Sequence, residues 1–238
     1  MKTFRFGLIL MLCGFCSSSN AAALLVNGGF ETGNFSGWTV VSQAGSFPGS
    51  NFFVLNGTAL PQSGLTTAGP ATGLFYAVSD QSGSGTHAVI QSFTVAAGAS
   101  SVVLSFNLFV NSYGGTFVNP IGLDFTDGAN QYARVDILAA GASALDTGAG
   151  VLQNFYLGAD AGANPHGYTS YAFDITSLVS GGGTFQLRFA EVDNQLFLNM
   201  GVDNVSIDAT GGGSVPEPSS IILITLGLAV LIRRRLRR

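Results

Sequence analysis

From residue 102 to residue 111, every second side chain is large and apolar: Val102, Leu104, Phe106, Leu108 and Val110 alternate with Val103, Ser105, Asn107, Phe109 and Asn111. A period of two places the first set on one face of an extended strand and leaves no stripe for an amphipathic helix. Phe185, Leu187 and Phe189 repeat the pattern against Gln186, Arg188 and Ala190, and shorter runs of the same period lie at 89–95, 133–137, 171–175 and 205–207. Turn-forming clusters separate them, among them Asp127-Gly128, Asn164-Pro165 and Gly181-Gly182-Gly183. Apart from two apolar terminal segments, no stretch has a sustained helical period. Many short strands between turns predict an all-β sandwich, most simply a jelly roll, with most of the nineteen Phe in its core.

The charges are distributed unevenly. Seven of the nine Lys and Arg residues sit at the ends: Lys2 and Arg5 before the first apolar run, and Arg233, Arg234, Arg235, Arg237 and Arg238 after the last. Positive charge is retained on the cytoplasmic side of a membrane, so this pattern predicts a precursor held at both ends with its middle exported. The basic start, the short apolar run 6–15 and the A-x-A site at Ala21-Ala22-Ala23 predict a signal peptide over 1–23, cleaved after Ala23. Cys13 and Cys16 would leave with it and the mature chain would carry no disulfide; lipidation of one of them is the alternative.

Residues 24–210 are long enough for a single domain, and no internal linker divides them. Arg134 and Arg188 are its only basic residues against twelve acids, a net charge of −10. Such a surface argues against nucleic acid and anionic lipid as partners. It is compatible with divalent cations, neutral glycans or simple solubility.

Beyond the domain, 211–214 reads as a Gly-rich linker, followed by Val215-Pro216-Glu217-Pro218, the apolar run 221–232 and the arginine cluster. Twelve helical residues cover roughly 18 Å of a hydrocarbon core about 30 Å thick, marginal for a permanent anchor and adequate for a transient one. An ordinary tail anchor would share these parts. In its Pro-Glu-Pro motif, short membrane helix and terminal arginines, the segment 215–238 resembles the PEP-CTERM sorting signal of Gram-negative bacteria that make exopolysaccharide. The resemblance implies recognition by exosortase after general secretion, with processing near Pro216, Glu217 and Pro218 and with Arg233, Arg234 and Arg235 in the signal. It implies an inner-membrane-anchored precursor that ends at the cell surface or in the extracellular, biofilm-forming matrix.

Two stretches in the domain carry a second resemblance. Asn27-Gly28-Gly29-Phe30-Glu31-Thr32-Gly33, followed by Gly37-Trp38, is similar to the opening strand of carbohydrate-binding-module-type and galactose-binding-like jelly rolls. Gly201-Val202-Asp203-Asn204-Val205-Ser206-Ile207 is similar to their closing strand. The resemblance implies that these strands are neighbours, with a structural Ca²⁺ held by Glu31, Asp203 and backbone carbonyls. The strand parity that Asp203 shares with Val205 and Ile207 directs its carboxylate toward the core, where it needs a partner. The competing expectation places Glu31 in solvent and gives Asp203 backbone amide donors.

Catalytic signals are weak. No G-x-S-x-G, H-E-x-x-H or P-loop occurs, and His87 and His166 stand apart on a strand face and in a loop. Asp124 with Asp127, and Glu191 with Asp193, form carboxylate pairs, but the first lies on a turn and the second at the end of a strand entering a bend. Trp38 is expected to pack on the core, while Tyr113, Tyr156 and Tyr168 fall in or beside loops where rings could meet a glycan face. The sequence therefore predicts a non-enzymatic, structural or adhesive surface protein associated with extracellular polysaccharide. The alternative is a Ca²⁺-dependent glycan-binding module.

Overall fold

A computed structural model describes residues 21–119 and 122–211. The signal segment through residue 20 and the tail from residue 212, with its Pro-Glu-Pro motif, apolar run and arginines, lie outside the described residues. No helix among the described residues is long and apolar enough to cross a membrane.

The elements in order are β1 (Ala22–Ala23), β2 (Thr39–Ser42), β3 (Asn51–Leu55), β4 (Tyr76–Asp80), β5 (Gly85–Val95), β6 (Ala99–Ser112), β7 (Gln131–Ala139), β8 (Val151–Gly158), β9 (Thr169–Asp174), α1 (Thr176–Val179), β10 (Gly183–Asp193) and β11 (Leu198–Gly211). They pair antiparallel into two sheets, one ordered β3-β4-β11-β6-β9 with β1 also on β11, the other β2-β5-β10-β7-β8. The chain is thus the expected all-β jelly-roll sandwich, and the single turn of α1 is its one helix among the described residues.

The period-two runs become the facing layers. Val102, Leu104, Phe106, Leu108 and Val110 of β6 meet Val89 and Phe93 of β5, Val135 and Ile137 of β7, and Leu187 and Phe189 of β10 in one core. Phe106 stands edge-on to Phe189 at 5.4 Å and stacks on Tyr171 at 5.1 Å. Rings in such pairs gain about 0.5–1.5 kcal/mol beyond the area they bury. Trp38 is core as expected: its ring lies 5.5 Å from Phe30 and 6.1 Å from Phe189, and its indole N–H donates to the Asn27 carbonyl at 3.1 Å.

Two sequence expectations need correction. The stretch 27–33 is no strand: Asn27 and Phe30 take left-handed φ of 52° and 57°, and the segment folds into turns. This knot fills the side of β11 left open between its short pairings with β4 and β1, where Val205 N–H donates to Gly28 O at 2.9 Å. The opening strand is instead β1, which does neighbour β11. Asp203 also breaks the expected parity. An irregularity between Asp203 and Ser206, with Asn204 at φ 52°, shifts the alternation, so that Leu198, Met200 and Val202 point inward before it and Val205 and Ile207 after it. Asp203 is fully buried, but beneath the loop at 71–75 and not in the core.

Both basic side chains of the domain serve one acid. On the outer face of β7 and β10, Arg134 Nε and Nη2 each donate to Asp136 at 2.7 Å, while Arg188 Nε donates to the same carboxylate at 3.0 Å. The other end of Arg188 donates from Nη1 to the carbonyls of Ala144 (2.8 Å) and Asp146 (2.6 Å), strapping the 140–150 loop across the sheet. Asp136 and Arg188 are wholly buried. Replacing Asp136 with Asn leaves two guanidinium groups facing each other out of water, and chemical denaturation should show a loss of about 3–5 kcal/mol.

Candidate functional site

The sandwich has two poles. At one, Ala22 pairs with Ala209 and Ala99 with Gly211, so the chain enters and leaves side by side. From there the 14 residues of β11 reach, at about 3.3 Å each, roughly 45 Å to the other pole. That far pole consists of the turn from β4 to β5 and the bend from β10 to β11. Gln81, Ser82, Ser84, Asp193, Leu196 and Phe197 are among the residues lining a pocket of about 190 Å³ there.

The pocket floor is built from buried polar groups. Gln81 is 1% exposed, and its Nε2 donates both to Asp193 Oδ2 and to Leu198 O, which fixes the amide orientation. A reversed amide would press its oxygen against two acceptors, so Oε1 is the atom left without a partner. Asp193 also accepts from Gly85 N–H at 3.2 Å. Burial, opposed by these hydrogen bonds, pushes its carboxyl up to about 7.

Behind the floor, on the inner face of β10, Glu191 is wholly buried with neither carboxyl oxygen bonded. Burial, and secondarily the charge of Asp193, holds its pKa well above the ordinary carboxylate range. Its direct cross-strand neighbour is His87, whose Nδ1 lies 2.8 Å from Ser42 Oγ and whose Nε2 is unpartnered. Burial lowers His87 to about 4, so the ring is neutral near pH 7.

The expected Ca²⁺ residues lie elsewhere, midway along β11, and the fold does bring them together. Asp203 Oδ2 accepts from the amides of Ala71 (2.9 Å) and Thr72 (3.1 Å), and Oδ1 from Asn204 (2.7 Å). Glu31 accepts from Leu74 and Phe75 at 3.0–3.1 Å, so both carboxylates fasten the same loop. Gly73 leaves room for this, since a Cβ there would fall 2.3 Å from Glu31 Oε1. Gly29 leaves a cradle: the point its Cβ would occupy lies within 4.0 Å of Glu31 Cγ, Asp203 Oδ1 and Asn204 Oδ1. That oxygen set fits a hard cation in chemistry. Equally, the amides already balance both carboxylates. Burial, opposed by those amides and aided by Glu31, raises the pKa of Asp203.

The three candidate tyrosines pack against different partners. Tyr156 donates to Asp160 at 2.9 Å and lies edge-on to Tyr171, while Tyr168 donates to Gly69 O at 2.9 Å with its ring 4.9 Å from Phe109. Burial raises the pKa of both hydroxyls. Tyr113 alone of the three joins the far-pole pocket wall, its amide donating to Phe197 O at 2.9 Å. His166 is a loop residue, and its amide donates to Asn111. Asp124 accepts from Gln43 and Thr126 and so stitches its loop. Sequence reasoning passed over Gln81, Ser82, Ser84 and Leu196; the turn cluster 81–85 and the polar bend 194–195 were the available signals.

Residues 214–238 match the PEP-CTERM protein-sorting motif. This marks the chain as an extracellular protein sorted by exosortase in a Gram-negative bacterium. No curated protein sequence matches the chain. Among solved structures, the carbohydrate-binding module TmCBM61 in complex with β-1,4-galactotriose is similar over 78% of this chain and 97% of that one, at 10% identity and a TM-score of 0.48. A Stig cyclase from Fischerella sp. TAU is similar over 82% and 100%, at 17% identity and a TM-score of 0.49. An adhesin domain of Lys-gingipain from Porphyromonas gingivalis is similar over 79% and 99%, at 15% identity and a TM-score of 0.47. The assignment of a sandwich rests on the strand pairing of the chain itself.

The buried acids fix the pH response. A carboxyl raised on folding contributes stability that is fully present below its unfolded pKa and lost as pH rises through the folded one. Asp193, from 3.8 to about 7, and Glu191, upward from 4.5, therefore weaken the fold on going from acid to neutral and alkaline pH. His87 acts oppositely, its contribution being lost as pH falls from 6.5 through about 4. The melting temperature should fall between about pH 5 and 8, and Glu191→Gln should flatten that fall.

Proposed function

We propose that this is a non-catalytic adhesive protein of the cell surface or extracellular matrix that holds exopolysaccharide at the pole opposite its sorting tail. The observation that carries this reading is polarity: the chain ends leave together at one end, and a pocket of polar groups lies about one 14-residue strand away at the other. A tail held in the membrane would turn that pocket outward. The acidic domain suits a neutral polymer and repels anionic lipid, nucleic acid and acidic glycans alike. The paired carboxylates support no hydrolytic role here, because Glu191 is enclosed between the sheets, where no glycosidic bond reaches it.

A second reading, a Ca²⁺-dependent glycan-binding module, draws support from the Gly29 cradle between Glu31, Asp203 and Asn204. In it the ion is structural: Glu31 and Asp203 would hold it, and it would brace the 71–75 loop against β11. EGTA would then lower the melting temperature by several degrees and weaken polysaccharide capture, whereas amide-balanced carboxylates make both indifferent to chelation.

Two experiments test the proposal. Replacing Pro216, Glu217 and Pro218 with alanine should leave an uncleaved, membrane-bound precursor; normal maturation would sink the exosortase reading. Protein purified from the exporting cell should co-sediment saturably with that cell's exopolysaccharide, and absence of co-sedimentation would remove the adhesive role.

A further inference from the structure

We infer that the far-pole pocket receives the terminal ring of an uncharged glycan, a hydroxyl of which donates to Gln81 Oε1; this deepens, and rests on, the polysaccharide-holding role. The carbonyl oxygen of Gln81 is a buried acceptor without a donor, in a side chain whose amide nitrogen is pinned by two acceptors. Leaving such an atom unpaired costs about 1–3 kcal/mol, which a ligand donor recovers. The donor is a hydroxyl and not a metal ion. The pocket's one carboxylate, Asp193, already accepts from Gln81 Nε2 and Gly85 N–H, and no group of three His, Cys, Asp or Glu among the described residues could hold a metal.

Charge sets the class of sugar. Both guanidinium groups of the domain are committed to Asp136 on the outer face of the other sheet, so no cation lines the pocket, while Glu191 and Asp193 stand in and behind its floor. A uronate, sulfate or phosphate would meet acids and no counter-charge. Size sets how much of the chain enters. At about 190 Å³ the pocket is smaller than the roughly 300–1,000 Å³ of sites for drug-sized ligands. It therefore accepts one ring at a chain end and not a run of polymer. Leu196, 58% exposed at the mouth, and half-buried Phe197 offer the apolar wall for the ring's C–H face.

The test is saturation-transfer NMR on the full-length protein with methyl glycosides of galactose, glucose, mannose and galacturonate. At least one neutral glycoside should receive saturation, and the galacturonate should receive none. Leu196→Trp and Ser84→Trp, both at exposed positions, should fill the mouth and cut that signal about tenfold or more with the melting temperature unchanged. Full signal in both variants, equal signal from galacturonate, or silence from every neutral probe overturns the pocket assignment. Exopolysaccharide that still co-sediments under those outcomes leaves the adhesive role standing; loss of co-sedimentation in the native protein removes both.

Discussion

The antiparallel ladder between β6 and β11 is the interaction on which the rest of the molecule depends. It runs from Leu198 opposite Ser112 at the far pole to Gly211 opposite Ala99 at the tail pole, the full length of the domain. Its inward side chains supply one wall of the core, and its outer neighbours, β4, β1 and the turn at 27–33, are all anchored on β11. Because the ladder is continuous, the pocket at one end and the sorting tail at the other are held at a fixed separation. The one irregularity, at Asp203 to Ser206, is where the chain turns an acid out of the core and uses it to fasten a loop.

Scarcity of positive charge explains much of the remaining electrostatics. Two arginines share one aspartate, which leaves the other acids without ionic partners among the described residues. They are accommodated in three ways. Asp203, Glu31 and Asp146 collect backbone amides; Asp124 and Asp160 take side-chain donors. Glu191 and Asp193 are protected by protonation, since desolvation favours their neutral forms. That last solution sits at the pocket, where it keeps the floor polar and free of cations.

The fold was legible because the strand signal is local. The alternation at 102–111 and 185–190 states which face is buried, and antiparallel pairing then leaves few arrangements. The tail was equally readable, as its motif lies within some two dozen consecutive residues. What escaped was decided by irregularities and long-range contacts. The turn at 27–33 depends on left-handed Asn27 and Phe30, and neither residue type announces that conformation. The parity of Asp203 was misread because one irregularity reverses every face beyond it. The pocket was missed because Gln81 and Leu196 are 115 positions apart in sequence, and the orphan carbonyl of Gln81 exists only through the Asp193 and Leu198 acceptors that hold its amide.

The central claim is that glycan is held at the end of the sandwich farthest from the tail. Backbone amide shifts of the full-length protein, followed during titration with oligosaccharides released from its exopolysaccharide, test this most directly. The account predicts shifts concentrated at 81–84 and 193–197, with residues 208–211 and the loop at 71–75 unmoved. Shifts centred on the 71–75 loop, on the outer face of β7 and β10, or at the tail pole would contradict it.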